Sequence, residues 1–349
     1  MDAFYIERAE SLLKQNIDWE YLISISKLHK VAPLVFVNLI QIFSAAVPPH
    51  ILPQLRSLIM AVVKQNLYLV RELASLIDIF EENNISIIPY KGVVLASKVY
   101  QDPSLRQFVD IDLLVDRQQY IEAQELLIDN GYKPPPQREV EWERSFCHER
   151  KKVSVDLHQA LTPDHFPVYI DFSGLLARQE LTEIGGVAIK SFSSEDLLMV
   201  LCIQLAKDAQ WTAELLIKVC DIAELLKTSI DLDWDRVWQL CKELGTKRIL
   251  LFALLVVNQI FDLKLPDTIW QKAQADPIAR KAAKLVSENF FVRSEESIRN
   301  RIFIERTYLR KLARERWQDK VKHFLGKIGN RYQKAIGYAQ HVNNLGKLG

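Results

Sequence analysis

An Asp-x-Asp pair inside an apolar, strand-like run is the feature that most constrains this chain. The run covers residues 109–115, and its aspartates are Asp110 and Asp112. Alternate residues of a strand share a face, so both carboxylates lie side by side while Ile111 and Leu113 face the opposite layer. Such a pair beside a core is costly unless it is solvated, paired or bound to a cation, and rigid oxygen ligands suit Mg²⁺. We therefore predict a strand that carries a Mg²⁺ site, with exposed aspartates at a strand edge as the alternative.

A second signal lies upstream of this pair. A β-branched run over residues 85–89 is followed by Lys91-Gly92 and a helical pattern, which predicts a strand, a tight turn and a helix. Gly92 lets the backbone come close to a ligand, and Lys91 places a positive charge beside the N–H groups at the helix start. This arrangement predicts a phosphate site, and an ordinary turn glycine is the alternative.

A third strand-like segment, residues 153–158, adds a carboxylate. Its alternation places Ser154, Asp156 and His158 on one face. Two carboxylates on one strand and a third on its neighbour can hold a pair of Mg²⁺ ions, which in two-metal sites lie about 3.5–4 Å apart. His158 could contact a nucleotide or a phosphate group, accept a proton from a hydroxyl that acts as nucleophile, or form a hydrogen bond within a cleft.

The order of these motifs resembles the nucleotidyltransferase superfamily that includes DNA polymerase β. More narrowly, it is similar to the bacterial branch labelled nucleotidyltransferase family protein. The similarity rests on Lys-Gly before a helix, Arg-x-x-x-Asp-Ile-Asp-Leu-Leu-Val at residues 106–115, Gly-Tyr at 131–132 and Val-Asp-Leu-His at 155–158. Helical segments around residues 18–34 and 233–266 resemble the same branch, so the likeness covers roughly residues 15–270.

The resemblance implies an α+β fold, with a small mixed β-sheet core and helices, flanked by N- and C-terminal helical segments. It implies that Asp110, Asp112 and Asp156 are the catalytic, Mg²⁺-binding residues and that the turn at Gly92 grips a triphosphate. The wider superfamily has a glycine followed by serine at this turn. This chain has Lys91-Gly92 instead, so Lys91 would supply charge where the serine hydroxyl is absent.

The implied reaction is Mg²⁺-dependent transfer of a nucleoside monophosphate from a triphosphate such as ATP to a hydroxyl or phosphate of an acceptor, releasing pyrophosphate. Arg106 is a candidate phosphate ligand because a guanidinium can bind two oxygens at once, and a surface salt bridge is the alternative. The acceptor has no motif, since its contacts come from helices and loops. A different class of function is an inactive scaffold that keeps the fold and binds a partner.

Composition sets the outer bounds. The 349 residues are 49% hydrophobic, which suits two or three domains with full cores. The four cysteines lack the C-x-x-C spacing of zinc sites, and reduced core thiols suggest a cytoplasmic protein. The longest apolar run, residues 249–257, is nine residues, against the roughly 20 needed for a transmembrane segment. No signal-peptide layout opens the sequence.

Changes of hydrophobic period divide the chain into four predicted parts. These are a helical segment at 1–82 with a break at Pro48-Pro49, an α/β core at 83–192, a helical domain at 193–300 and a basic helical tail at 301–349. In the core we expect strands at 85–89, 109–115 and 153–158, helices at 92–100 and 117–130, and a hairpin at 181–190. The long loop 133–150 is expected to be a mobile flap.

The tail is strongly basic. Residues 301–349 hold 12 Lys or Arg against three Asp or Glu, a net charge of +9, so the remainder carries −8. Interleaved apolar side chains predict an amphipathic helix that binds an anionic membrane surface, nucleic acid or an acidic protein. The alternative is a basic outer face on a helix that docks on the body.

Overall fold

The computed structural model describes residues 3–102, 104–136, 142–163, 166, 168–184, 186–209, 215–288, 312 and 315. It confirms an α+β fold with a small mixed sheet between helical segments. Four strands form that sheet in the order β1-β2-β4-β3, and two more form a separate hairpin. The strands are β1 (Ile87–Tyr90), β2 (Asp110–Val115), β3 (Glu143–His148), β4 (Val153–His158), β5 (Glu180–Ile184) and β6 (Val187–Ser191).

The helices fall into three groups. The N-terminal group is α1 (Ala3–Leu13), α2 (Trp19–Leu28), α3 (Ala32–Gln41) and the long α4 (Leu52–Glu82). Helices α5 (Gly92–Lys98), α6 (Tyr120–Asp129) and α7 (Phe172–Ala177) lie between the strands in sequence. The C-terminal group is α8 (Ser194–Asp208), α9 (Leu215–Thr228), α10 (Trp234–Leu244), α11 (Lys247–Phe261), α12 (Asp267–Ala275) and α13 (Pro277–Glu288).

Side-chain caps explain where several helices begin. Asp18, Asp171, Ser193 and Asp233 each precede a helix and accept a hydrogen bond from a backbone N–H of its first turn. Such a cap satisfies one of the backbone donors that a helix start leaves unpaired. The first turn of α8 is acidic, with Glu195 and Asp196 beside the unpaired backbone N–H groups.

The sheet lies between two apolar cores. On one face, side chains of β2 and β4 that include Ile111, Leu113 and Val155 pack with α4 and α6. The opposite face carries Asp110 and Asp112 and turns toward the C-terminal helices, whose own core includes most of α8 and α11. The alternation predicted for β2 and β4 is therefore confirmed, and it leaves polar side chains in a cleft between the sheet and the C-terminal helices.

The predicted flap is partly wrong. Glu143–His148 is strand β3, which pairs antiparallel with β4 at the edge of the sheet. Only Phe146 in this strand is buried, so the segment lacks the apolar alternation that identifies a strand from sequence. Residues 137–141 of the predicted flap lie outside the described residues.

Other boundaries shift by a few residues. Helix α5 ends at Lys98 rather than at residue 100, and helix α7 was not predicted. Among the helices that the structure describes, none is both long and apolar enough to cross a bilayer. The structure describes only Leu312 and Glu315 of the predicted tail. The prediction that the tail is helical therefore concerns residues outside the described ones. Leu312 is fully buried in the C-terminal core, and Glu315 accepts a hydrogen bond from the backbone N–H of Arg248 at the start of α11.

Candidate active site

Sheet register brings the predicted carboxylates together. Strands β2 and β4 run parallel, with Asp112 opposite Asp156 and Asp110 opposite Ser154. Ligand atoms of Asp112, Asp156 and His158 lie within 4.8 Å of one another. Asp110 lies outside this group of three but lines the same cavity of about 210 Å³. The arrangement offers two carboxylates and an imidazole at one point, with a third carboxylate beside them.

Asp112 is the most tightly held member of the site. Its side chain is 8% exposed, and Oδ1 accepts a hydrogen bond from Lys91 Nζ at 2.8 Å and lies 3.1 Å from His158 Nε2. Burial alone would raise the pKa of Asp112, but Lys91 and His158 outweigh it and hold that pKa below its usual range. Asp112 is therefore ionised and available as an oxygen ligand.

The negative charge of the other two carboxylates, Asp110 and Asp156, is only partly compensated. Burial, followed by the charges of Asp112 and Asp156, raises the pKa of Asp110 to about 6. Burial likewise raises the pKa of Asp156, although Ser145 Oγ donates a hydrogen bond of 2.6 Å to its Oδ1. Since a divalent cation favours the ionised form of nearby carboxylates, its binding would reverse these shifts.

The turn between β1 and α5 is strained at Lys91. This residue has φ 59° and ψ −147°, a conformation that almost only glycine adopts. Gly92 follows with φ +24°, and a Cβ there would lie 3.3 Å from the carbonyl oxygen of Asp110. The turn is thus packed against the start of β2. Burial would lower the pKa of Lys91, but Asp112 holds it well above the ordinary value, so the side chain stays cationic.

Arg106 makes a buried ion pair rather than a surface one. Its Nε and Nη2 donate to Oδ1 and Oδ2 of Asp221 on α9, at 2.8 and 2.9 Å. Tyr100 Oη donates to the same carboxylate at 2.8 Å, and Arg106 Nη1 lies 3.5 Å from the carbonyl oxygen of Gly92. Burial opposes the charge of Arg106, but Asp221 raises its pKa above the ordinary value. The sequence left a surface salt bridge as the alternative to phosphate binding; the observed pair is buried instead, and it ties the core to the C-terminal helices. The phosphate-binding role of Arg106 stays a prediction.

Sequence reasoning missed several residues that line the cavity. Glu143 on β3 places Oε2 3.3 Å from His158 Nδ1, so the imidazole lies between two carboxylates. Lys30, in the turn between α2 and α3, and Lys218, on α9, add positive charge to the lining of the cavity. Lys218 donates to Asp208 on α8. If β3 had been recognised as a strand from the sequence, strand alternation could have identified Glu143 as a site residue. Lys30 and Lys218 belong to no sequence motif.

The family follows from a match over most of the chain. A family model described as an uncharacterised nucleotidyltransferase matches residues 15–262. The chain belongs to this nucleotidyltransferase family. Membership makes nucleotidyl transfer its class of activity, and the residues matched include the whole sheet and the helices that close the cleft. The resemblance read from the motifs, including its extent, is confirmed.

Solved structures add more distant likenesses. The chain is similar to the antibiotic-resistance factor ANT(2'')-Ia, with 13% identity, 50% of this chain and 89% of that one covered, and a TM-score of 0.36. It is similar to the lincosamide antibiotic adenylyltransferase LnuA, with 20% identity, 45% and 96% covered, and a TM-score of 0.32. A nucleotidyltransferase-like protein from Paracoccidioides brasiliensis gives 15% identity, 61% and 94% covered, and a TM-score of 0.36. No curated protein matches the chain.

Proposed function

We propose that this protein transfers a nucleoside monophosphate from a nucleoside triphosphate, such as ATP, to an acceptor in a Mg²⁺-dependent reaction that releases pyrophosphate. One observation carries the proposal. Asp110, Asp112 and Asp156 project from neighbouring strands into one cavity. Burial, together with the charge of the neighbouring carboxylates, raises the pKa of Asp110 and of Asp156.

The donor set fits Mg²⁺. Carboxylate oxygens are the ligands that this ion prefers, and Asp110, Asp112 and Asp156 would hold it, with two ions as the expected number. Bound there, Mg²⁺ would stabilise the charge that develops on the attacking and leaving oxygens. His158 is held by Asp112 and Glu143, so we assign it the role of fixing the position of Asp112. Contact between His158 and the nucleotide stays a prediction.

We assign the phosphate end of the nucleotide to the lysines that line the cavity. Lys91 and Gly92 form the turn beside the carboxylates, while Lys30 and Lys218 reach the cavity from the two helical segments. Cations from three parts of the chain would thus surround a triphosphate and balance its charge. Arg106 lines the same cavity, but its guanidinium is bound to Asp221, so we assign it the positioning of the Gly92 turn.

The test is transfer of label from α-³²P nucleotides in Mg²⁺, preceded by thermal shifts with each of the four triphosphates. We expect at least one triphosphate to raise the melting temperature, and only when Mg²⁺ is present. Asp112→Asn keeps the shape of the side chain and removes a charged ligand, so turnover should fall by two or more orders of magnitude while the fold survives. Turnover that is equal in the variant and the wild type would contradict the proposal.

A binding scaffold is the second candidate. It is favoured by the ion pair in which Lys91 Nζ contacts Asp112 Oδ1, because that contact neutralises a proposed metal ligand. A scaffold would bind nucleotide equally well with and without Mg²⁺ and would transfer no label to any acceptor. The Mg²⁺ dependence of the thermal shift separates the two candidates without knowledge of the acceptor.

A further inference from the structure

A second cavity, of about 310 Å³, lies beside the proposed active site. Most of its wall is apolar and comes from α3 and α4, with Phe36, Leu58 and Val62 among the lining residues. Its polar lining is sparse and includes Lys27 and Gln65. A largely apolar cavity of this size with a few polar groups has the usual composition of a small-molecule site.

The two cavities share a wall. Gln107, Phe108 and Val109 line both of them. This partition is fixed at Arg106, whose carbonyl oxygen accepts a hydrogen bond of 2.8 Å from Asn66 Nδ2 on α4 and whose guanidinium binds Asp221 on α9. A ligand in the second cavity would therefore contact the same three residues that border the carboxylates.

We infer that the second cavity binds the apolar part of the acceptor, whose reactive oxygen then lies over the partition beside Asp110. The inference rests on the proposed function and names the class of acceptor: an amphipathic alcohol or phosphate ester. Val109 is 50% exposed on the partition, which is an apolar surface that such a ligand would cover. At about 30 Å³ for each water-sized group, the volume accommodates an apolar body of about ten such groups.

The nucleobase is a less suitable occupant. Its ring nitrogens and exocyclic groups need several hydrogen-bonding partners, and burying them against aliphatic side chains would leave them unpaired. The wall formed by Phe36, Leu58 and Val62 offers none, so a base would depend on the few polar side chains of the lining, such as Lys27 and Gln65. An alkyl or aryl group loses no hydrogen bond on entering such a cavity and gains from the removal of its surface from water.

Alkyl β-glucosides with methyl to octyl chains, used below their micelle concentrations, test the inference by calorimetry. They share one head group, so only the apolar part changes. In the wild type we expect affinity to rise with chain length, by at most about fourfold for each buried methylene. Ala61→Trp and Val62→Phe place bulk in the cavity and should abolish this dependence. Met60→Trp, at a neighbouring position of α4 that is 65% exposed and outside the lining, is the matched control and should retain it.

Binding of Mg²⁺-ATP, measured on the same variants, separates this inference from the proposed function. Unchanged ATP affinity together with a lost chain-length dependence in both cavity variants supports the acceptor site. Equal binding of methyl and octyl glucosides by the wild type, or binding of neither, would overturn it even if ATP binds. A loss of ATP affinity in Ala61→Trp and Val62→Phe, but not in Met60→Trp, would assign the cavity to the nucleobase instead. Absence of ATP binding in the wild type would refute the proposed function, whatever the glucosides do.

Discussion

Removing one partner of the Arg106–Asp221 pair should destabilise the protein strongly. The two side chains are 10% and 3% exposed, so neither charge is stabilised by bulk water when its partner is lost. Truncation of one member of a buried pair typically costs about 3–5 kcal/mol. We expect the loss of stability in Arg106→Met to fall in this range. Of the side-chain donors that the structure shows at the Asp221 carboxylate, the Tyr100 hydroxyl would remain.

The double variant Arg106→Met/Asp221→Leu should be less damaging than the sum of its single changes. It removes both charges, so the main remaining penalty is the Tyr100 hydroxyl, whose lost partner costs about 1–3 kcal/mol. Urea denaturation of the four proteins gives the coupling energy as a double-mutant cycle. The exposed pair Lys227–Glu224, also on α9, is the matched control, and truncating either partner should change the free energy of unfolding by at most about 1 kcal/mol.

Nucleotide binding by the same variants separates a structural role from the phosphate-binding role predicted for Arg106. If the ion pair acts by holding the core against α9, stability and affinity for Mg²⁺-ATP should recover together in the double variant. Recovery of stability without affinity would mean that the guanidinium contacts phosphate. A single variant as stable as the wild type would refute the reasoning about burial.

Three further predictions concern the active site and the tail. Lys91→Met should weaken Mg²⁺-ATP binding and also lower the melting temperature, because Asp112 is 8% exposed and loses the ammonium group that pairs with it. Lys91→Gly loses the same contact but should be about 1 kcal/mol more stable than Lys91→Met, because glycine adopts this backbone conformation without strain; equal melting temperatures for the two variants would argue against strain. Folding raises the pKa of Asp110 from 3.8 to about 6, so the native state binds this proton more tightly and the free energy of unfolding should fall as pH rises from about 4 to about 6. Asp110→Asn should make that decline smaller in urea titrations without Mg²⁺, because the raised pKa of Asp156 contributes a decline of its own; a decline of the same size in the variant would contradict the assignment to Asp110. Leu312→Ala should cost about 2–5 kcal/mol because this side chain is fully buried. Deletion of residues 320–349 should preserve the fold and weaken retention on anionic liposomes or RNA at low salt; unchanged retention by the truncated chain would show that residues 320–349 do not bind the surface.

The sequence by itself determined the strands that carry the candidate site and the faces of those strands. Strand alternation places Asp110 and Asp112 together, and the same rule applies to Asp156 and His158, because the period of a strand is a local property of the backbone. The Lys91-Gly92 turn, the helical segments on both sides and membership of the family were also readable. None of these required knowledge of which distant segments meet.

Tertiary structure decided which partners those side chains have. Arg106 binds Asp221, 115 positions away, and no local pattern distinguishes this buried pair from a phosphate ligand. Strand β3 has one buried side chain, so its position beside β4 and the contact of Glu143 with His158 depend on hydrogen bonds to a neighbouring strand rather than on apolar periodicity. The second cavity likewise exists because α3 and α4 pack against residues 107–109 without filling the space between them. Periodicity reports the face on which a side chain lies, whereas its partners are set by long-range packing, which no local pattern encodes.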